Sequence, residues 1–177
     1  KILSMDVDLS SKRLAIGTQD SGSYILQYSD VQSFGQPKIF EYRRVPESHG
    51  ITSVKFGLNA QSVLLGLQNG ALRLWPLEAV TTMQIEQIKE HSLAITSIET
   101  APGLIITGSR DGTIKLRHRN NSPYGRIPTY IYTYRRHRRH SSTAEILKVI
   151  FDEKTRQTYS SDRNSVKRWH IDIAPLY

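Results

Sequence analysis

Apolar and polar positions along the chain recur in blocks rather than at helical spacing. Four short segments align without gaps: Ile2-Leu3-Ser4-Met5, Ile51-Thr52-Ser53-Val54, Ile95-Thr96-Ser97-Ile98 and Ile146-Leu147-Lys148-Val149. They recur at intervals of 49, 44 and 51 residues. A second apolar run follows each: Leu14-Ala15-Ile16-Gly17, Val63-Leu64-Leu65-Gly66, Leu104-Ile105-Ile106-Thr107-Gly108 and Thr158-Tyr159-Ser160. Then comes a turn signal: Gln19-Asp20-Ser21-Gly22, Gln68-Asn69-Gly70, Arg110-Asp111-Gly112 and Asp162-Arg163-Asn164. From the first Ile to the turn Gly or Asn the distance is 20, 19, 17 and 18 residues. Self-similarity at such a period marks a repeat architecture.

Each unit reads as antiparallel strands. Thr52, Val54 and Phe56 alternate with Ile51, Ser53 and Lys55, the two-residue period of a pleated strand. The following run is apolar on both sides, as a central strand between layers should be. Asn-Gly and Asp-Gly predict two-residue hairpin turns with positive φ. A third strand is expected over Tyr24–Tyr28, Ala71–Trp75, Thr113–Arg117 and Ser165–Trp169. A fourth is expected over Lys38–Arg43, Met83–Lys89 and Thr129–Arg135 in the first three units. No apolar period of 3.6 residues is sustained, which argues against helices. Four strands per roughly 45 residues is the arithmetic of a β-propeller blade.

These units resemble the WD-repeat (WD40) family over essentially residues 1–173. The nearest match is unit three, with His91 leading in and the run Leu104 to Leu116 around Asp111-Gly112. Unit two opens on His49-Gly50 and closes on Leu72-Arg73-Leu74-Trp75, and unit four ends in Val166-Lys167-Arg168-Trp169. The resemblance implies an all-β fold of four-stranded blades, with approximate bounds 1–44, 45–90, 91–137 and 138–177. It also implies a relay inside each blade: a loop His bonded to a turn Asp, a strand Ser or Thr between them, and a Trp shielding the set. His49, Trp75, His91, Asp111 and Trp169 match parts of that set. Asn69 replaces Asp in unit two, Arg117 replaces Trp in unit three, and Asn164 stands at the turn of unit four with His140 displaced. The Trp-Asp dipeptide itself never occurs.

Propellers hold four to eight blades, and unit four lacks a visible outer strand. The expectation is therefore the C-terminal half of a larger propeller, with the remainder of that propeller as a partner. A stable, cooperative monomer of the isolated 177 residues would contradict it.

The chain carries 24 Lys and Arg against 16 Asp and Glu, a formal net charge of +8. Residues 117–140 contain seven arginines and no acid, so the other 153 residues carry only +1. The excess is a local feature on a nearly neutral body. The alternating strand Tyr130–Tyr134 leads into a loop holding Arg135, Arg136, Arg138 and Arg139. In the resembled family such loops share one end of the propeller with the tight turns, where Arg110 and Arg163 sit. Guanidinium forks bind carboxylate and phosphate bidentately, so Arg110, Tyr134, Arg135, Arg136, Arg138, Arg139 and Arg163 are candidates to hold an acidic or phosphorylated protein partner. The competing reading is RNA, with tyrosines stacking bases and arginines neutralising phosphates, as in a ribosome-assembly factor. Arg135 to Arg139 also has the look of a nuclear-import signal, and Arg138-Arg139-His140-Ser141 that of a basophilic kinase site. Tyr42-Arg43-Arg44 resembles a lipid-binding propeller motif but has Val45 in place of its Gly. A solvated loop is the plain alternative to all of these.

Reaction chemistry finds no support. Absence of cysteine removes disulfides, thiol catalysis and Cys-ligated metals, and fits an intracellular compartment, cytoplasm ahead of nucleus. No phosphate-binding loop, nucleophile elbow or zinc-protease motif occurs. His137 and His140 have a metal-like spacing, but the surrounding arginines would repel a cation. No cofactor and no membrane span are expected, the longest apolar run being far below the roughly 20 residues a helical span needs. The function expected is a non-catalytic scaffold within a multiprotein complex.

Overall fold

The computed structural model describes residues 1–20, 22–28, 39–46, 49–57, 60–77, 86–118, 130–134 and 144–170; of residues 22–28, 39–46, 118, 130–134 and 170 only the backbone is considered. Every regular element among them is a strand. Blade one consists of β1 (Ile2–Asp8), β2 (Arg13–Thr18), β3 (Gly22–Tyr28) and β4 (Ile39–Pro46). Blade two consists of β5 (Ile51–Phe56), β6 (Ser62–Leu67), β7 (Ala71–Pro76) and β8 (Glu86–Lys89). Blade three consists of β9 (Ile95–Ala101), β10 (Leu104–Ser109), β11 (Ile114–His118) and β12 (Tyr130–Tyr134). Blade four shows β13 (Lys148–Asp152), β14 (Gln157–Ser161) and β15 (Val166–His170). Each sheet is antiparallel and strictly in chain order. The inner strands β1, β5, β9 and β13 lie side by side, and among the described residues the series does not close into a ring.

The core lies between blades. One cluster joins Ala15 of blade one to Ile51, Val54 and Phe56 of blade two. A second joins Leu64 and Leu72 of blade two to Ile95 and Ile98, and a third joins Ile106 and Ile114 to Ile146 and Val149. Ile51, Ile95 and Ile146 are fully buried, each contributing about 1.5–3 kcal/mol of transfer free energy.

The repeated spacing of Ile to Val or Ile has a backbone cause that strict alternation misses. Ile51 should share a face with Ser53 and Lys55. Instead the register shifts between Ile51 and Ser53, a β-bulge that turns Ile51 onto the face of Val54. Both then press on Gly17 of the preceding blade. The same irregularity occurs between Ile2 and Ser4, and opposite Ile95 at Gly108 and Ser109.

The hairpin turns also differ from the two-residue type expected. The Gly70 N–H bonds the Leu67 carbonyl at 2.9 Å and the Gly112 N–H bonds that of Ser109 at 3.1 Å, and the loops hold three residues, 68–70 and 110–112, rather than two. Only the glycines take positive φ, +85° and +78°, whereas Asn69 and Asp111 do not. The reason is side-chain chemistry: the Asn69 and Asp111 oxygens each accept the N–H two residues on, a bond available without a left-handed residue.

Candidate interaction site

The turn between the second and third strands is the most regular exposed feature of the blades. Two residues beyond Gly17, Gly66, Gly108 and Ser161 stand Gln19, Gln68, Arg110 and Arg163. In the first three blades the backbone there is anchored by the loop that enters the blade. The Gln19 N–H bonds the Lys1 carbonyl, Gln68 that of Gly50, and Arg110 that of Ala94, at 2.8–3.0 Å. The edge is thus built from fixed turns, with neutral amides on blades one and two and arginines on blades three and four. Arg110 and Arg163 are both exposed. Arg163 lies 3.6 Å from Glu145, an open ion pair that leaves its guanidinium largely in solvent.

Tyr134, the last residue of β12, pairs in register with Ile114, the first residue of β11 after the Arg110 turn. The end of β12 therefore lies at the turn edge of blade three. Arg135, Arg136, Arg138 and Arg139 follow in the sequence and lie outside the described residues, as do His137 and His140.

Behind the Arg110 turn is a polar relay. Asp111 Oδ1 accepts the N–H and hydroxyl of Thr113, and its Oδ2 accepts the N–H of Ser92 at 3.0 Å. His91 is buried, with Nδ1 2.9 Å from Thr113 Oγ1 and Nε2 2.8 Å from Thr107 Oγ1. His91 Nδ1 also lies 3.3 Å from Asp111 Oδ2, so this side of the ring faces both the Thr113 hydroxyl and the carboxylate. On the other side of the ring, Nε2 faces the Thr107 hydroxyl. Burial alone would raise the Asp111 pKa, but bonds from His91 and Thr113 outweigh it and hold the carboxyl well below its usual range.

A group with a depressed folded pKa stabilises the fold fully above its unfolded value, here 3.8, and loses that contribution as pH falls towards the folded value. Asp111→Asn should therefore destabilise the chain by about 1.5–3 kcal/mol at neutral pH. The gap between parent and variant should narrow below about pH 4. Urea melts at pH 7 and pH 3 check this.

Where the family resemblance implies Trp, Arg117 lies buried against Glu90, its Nε 2.8 Å from Oε2 and its Nη2 on the same oxygen. The Lys115 ammonium caps the Glu90 carbonyl. Sequence inspection registers only the missing Trp; an acid directly before the loop His, opposite an Arg in the Trp row, was the available signal. The other two matched blades hold less of the relay. In blade two His49 is exposed, its Nδ1 3.3 Å from Asn69 Nδ2, and the strand position corresponding to Thr107 is the buried Leu65. Trp75 is buried in the core shared with blade one. In blade four the Trp169 indole donates to Ser160 Oγ at 2.7 Å. There the turn is organised by Asp162, which accepts from the N–H groups of Asn164 and Ser165.

Among the described residues no three His, Asp or Glu side chains gather as a metal set would require. No helix there is long and apolar enough to cross a membrane, which says nothing of strands.

No family model matches the chain. Its sequence is 31% identical over 121 residues to Dynein axonemal assembly factor 10 of Xenopus tropicalis, covering 62% of this chain and 33% of that protein. The human protein of the same name gives the same identity and coverage. Eukaryotic translation initiation factor 3 subunit I of Anopheles gambiae is 31% identical over 68 residues, 37% of this chain and 20% of that one. The chain thus spans about a third or less of these relatives. Among solved structures, the computationally designed Ika4 protein superposes with a TM-score of 0.65 at 16% identity, over 97% of this chain and 91% of its own. The designed Ika8 protein gives 0.67 at 16% identity over 96% and 46%. A chain of the Mitotic Checkpoint Complex gives 0.63 at 17% identity over 90% and 45%. At these identities the structures speak for the fold alone.

Proposed function

We propose that this chain is a non-catalytic propeller scaffold whose basic turn edge holds an acidic or phosphorylated segment of a protein partner. The observation that carries the reading is the recurrence of Arg110 and Arg163 at one repeat position of consecutive blades, exposed on turns that rigid sheets present. Neighbouring blades with this spacing would present the two guanidiniums along one edge; β12 ends at that edge of blade three, and Arg135, Arg136, Arg138 and Arg139 follow it in the sequence. Guanidinium groups held in a row suit carboxylates or phosphates along an extended peptide better than a single point charge would. The relatives support the scaffold half of the reading, since one is named an assembly factor and the other a subunit of an initiation factor.

The test is a titration of labelled peptides, acidic, phosphoserine-bearing and neutral, by fluorescence anisotropy. Acidic and phosphorylated peptides should bind with salt-sensitive affinity. Arg110→Glu with Arg163→Glu should weaken them at least about tenfold, equivalent to about 1.4 kcal/mol. Gln19→Ala with Gln68→Ala should leave affinity unchanged. Tight, steeply salt-dependent binding of single-stranded RNA, with none of peptide, would move the function to the RNA reading.

A further inference from the structure

Along the turn edge, the turns alternate with the loops that enter each blade. The loop residue two before the first Ile of the inner strand is His49 in blade two, Leu93 in blade three and Ala144 in blade four. Leu93 is the large apolar side chain of this row, and it is 53% exposed. The blades that meet at its loop, two and three, are both present, so the exposure belongs to the assembled edge.

A solitary surface Leu is ordinary. This one is distinguished by how its backbone is held from two sides. On the blade-two side, the Gly70 carbonyl accepts the N–H groups of Glu90 and His91 at 3.2 and 2.9 Å. A Cβ on Gly70 would lie 2.6 Å from the Leu93 carbonyl oxygen, so the two chains touch there. On the blade-three side, the Ser109 hydroxyl lies 3.0 Å from the Leu93 carbonyl and 2.9 Å from that of Ala94. The Arg110 N–H bonds the Ala94 carbonyl at 3.0 Å, and Asp111 Oδ2 accepts the Ser92 N–H at 3.0 Å. Leu93 therefore stands at a fixed place between the Gly70 turn and the Arg110 turn.

Charge is graded across the same stretch. Arg110 is exposed, and among the described residues no ion pair involves it. The carboxylate next to it, Asp111, is committed to Thr113, Ser92 and His91. Arg163 instead lies 3.6 Å from Glu145, which follows Ala144 in the next loop. From blade two to blade four the edge thus presents an apolar side chain, an uncompensated cation, and a cation that shares its field with an acid.

We infer that Leu93 is a specificity-determining contact of the basic edge. The partner segment that places a phosphate or carboxylate on Arg110 carries an apolar side chain beside that group and lays it on Leu93. Its further acids belong on the other side, towards Arg163. The inference rests on the proposed function and narrows it. A segment of acids alone leaves Leu93 in water, whereas an apolar neighbour removes both side chains from water when it binds.

Fluorescence anisotropy with four phosphoserine peptides of equal charge tests it. Two carry Leu on one side of the phosphoserine and Glu on the other, in the two possible orders; the other two have Ser in place of Leu. One Leu-bearing order should bind about tenfold more tightly than its Ser counterpart, equivalent to about 1.4 kcal/mol. Leu93→Ser should abolish that preference and leave the affinity of the Ser-bearing peptides unchanged, while Leu93→Met should keep it. A preference that survives Leu93→Ser, or none in either order while Arg110→Glu still weakens binding, would overturn the role of Leu93 and leave the basic edge standing. Peptide binding that is indifferent to Arg110→Glu, or absent altogether, would overturn both.

Discussion

Glu90→Ala should destabilise the chain by about 3–5 kcal/mol, because it strands the Arg117 guanidinium inside blade three. Both groups are buried, and Arg117 bonds one Glu90 oxygen through two nitrogens. Taking a partner away leaves a desolvated charge that no water can reach. The pair itself need contribute little, since two charges removed from water give up hydration comparable to their attraction. The double change Glu90→Leu with Arg117→Trp should therefore recover most of the loss. It also installs the indole that blade two has in Trp75 and blade four in Trp169. Equilibrium unfolding in urea of parent, single and double variants checks both steps. A single variant with parental stability would show that the pair is not buried in solution.

Gly66→Ala should cost about 1–3 kcal/mol by overpacking the seam between blades two and three. The new Cβ would lie 2.7 Å from Ile95 Cγ2 and 2.8 Å from Ile95 Cβ, and the second of these cannot swing aside. Ile95→Ala alone should cost about 2–5 kcal/mol as a cavity. Together they should cost less than their sum, by about 1 kcal/mol or more, because each relieves the defect of the other. Strict additivity would mean that Gly66 and Ile95 are not in contact. Gly70 is constrained differently, by positive φ and by the His91 carbonyl, which would lie 2.3 Å from an added Cβ.

Strand order and blade count were legible because apolar runs and turn residues recur at nearly fixed spacing. The side chains that join blades were harder to read. A strict two-residue period places Ile51 with Ser53, and only the bulge turns it inward; a bulge has no residue signature of its own here. The turns were placed correctly and typed wrongly, because Asp111 and Asn69 use side-chain oxygens rather than left-handed backbone. Glu90 and Arg117 lie 27 residues apart, so nothing local links them. His49 and His91 look equivalent in sequence, yet Leu65 in place of Thr107 removes the hydroxyl a buried imidazole would need, and His49 is exposed. The basic edge was half legible. Arg110 and Arg163 share a register position any alignment of the repeats shows, whereas the anchoring of Arg110 depends on the Ala94 carbonyl of the preceding loop.

The most direct test of the basic edge is amide hydrogen exchange on the chain with and without a saturating phosphorylated acidic peptide. Protection should appear at the turns from Ser109 to Thr113 and from Ser161 to Ser165. The matching turns of blades one and two, at Gln19 and Gln68, should be unchanged. Equal protection of all four turns, or none at peptide saturation, would contradict the assignment of binding to blades three and four.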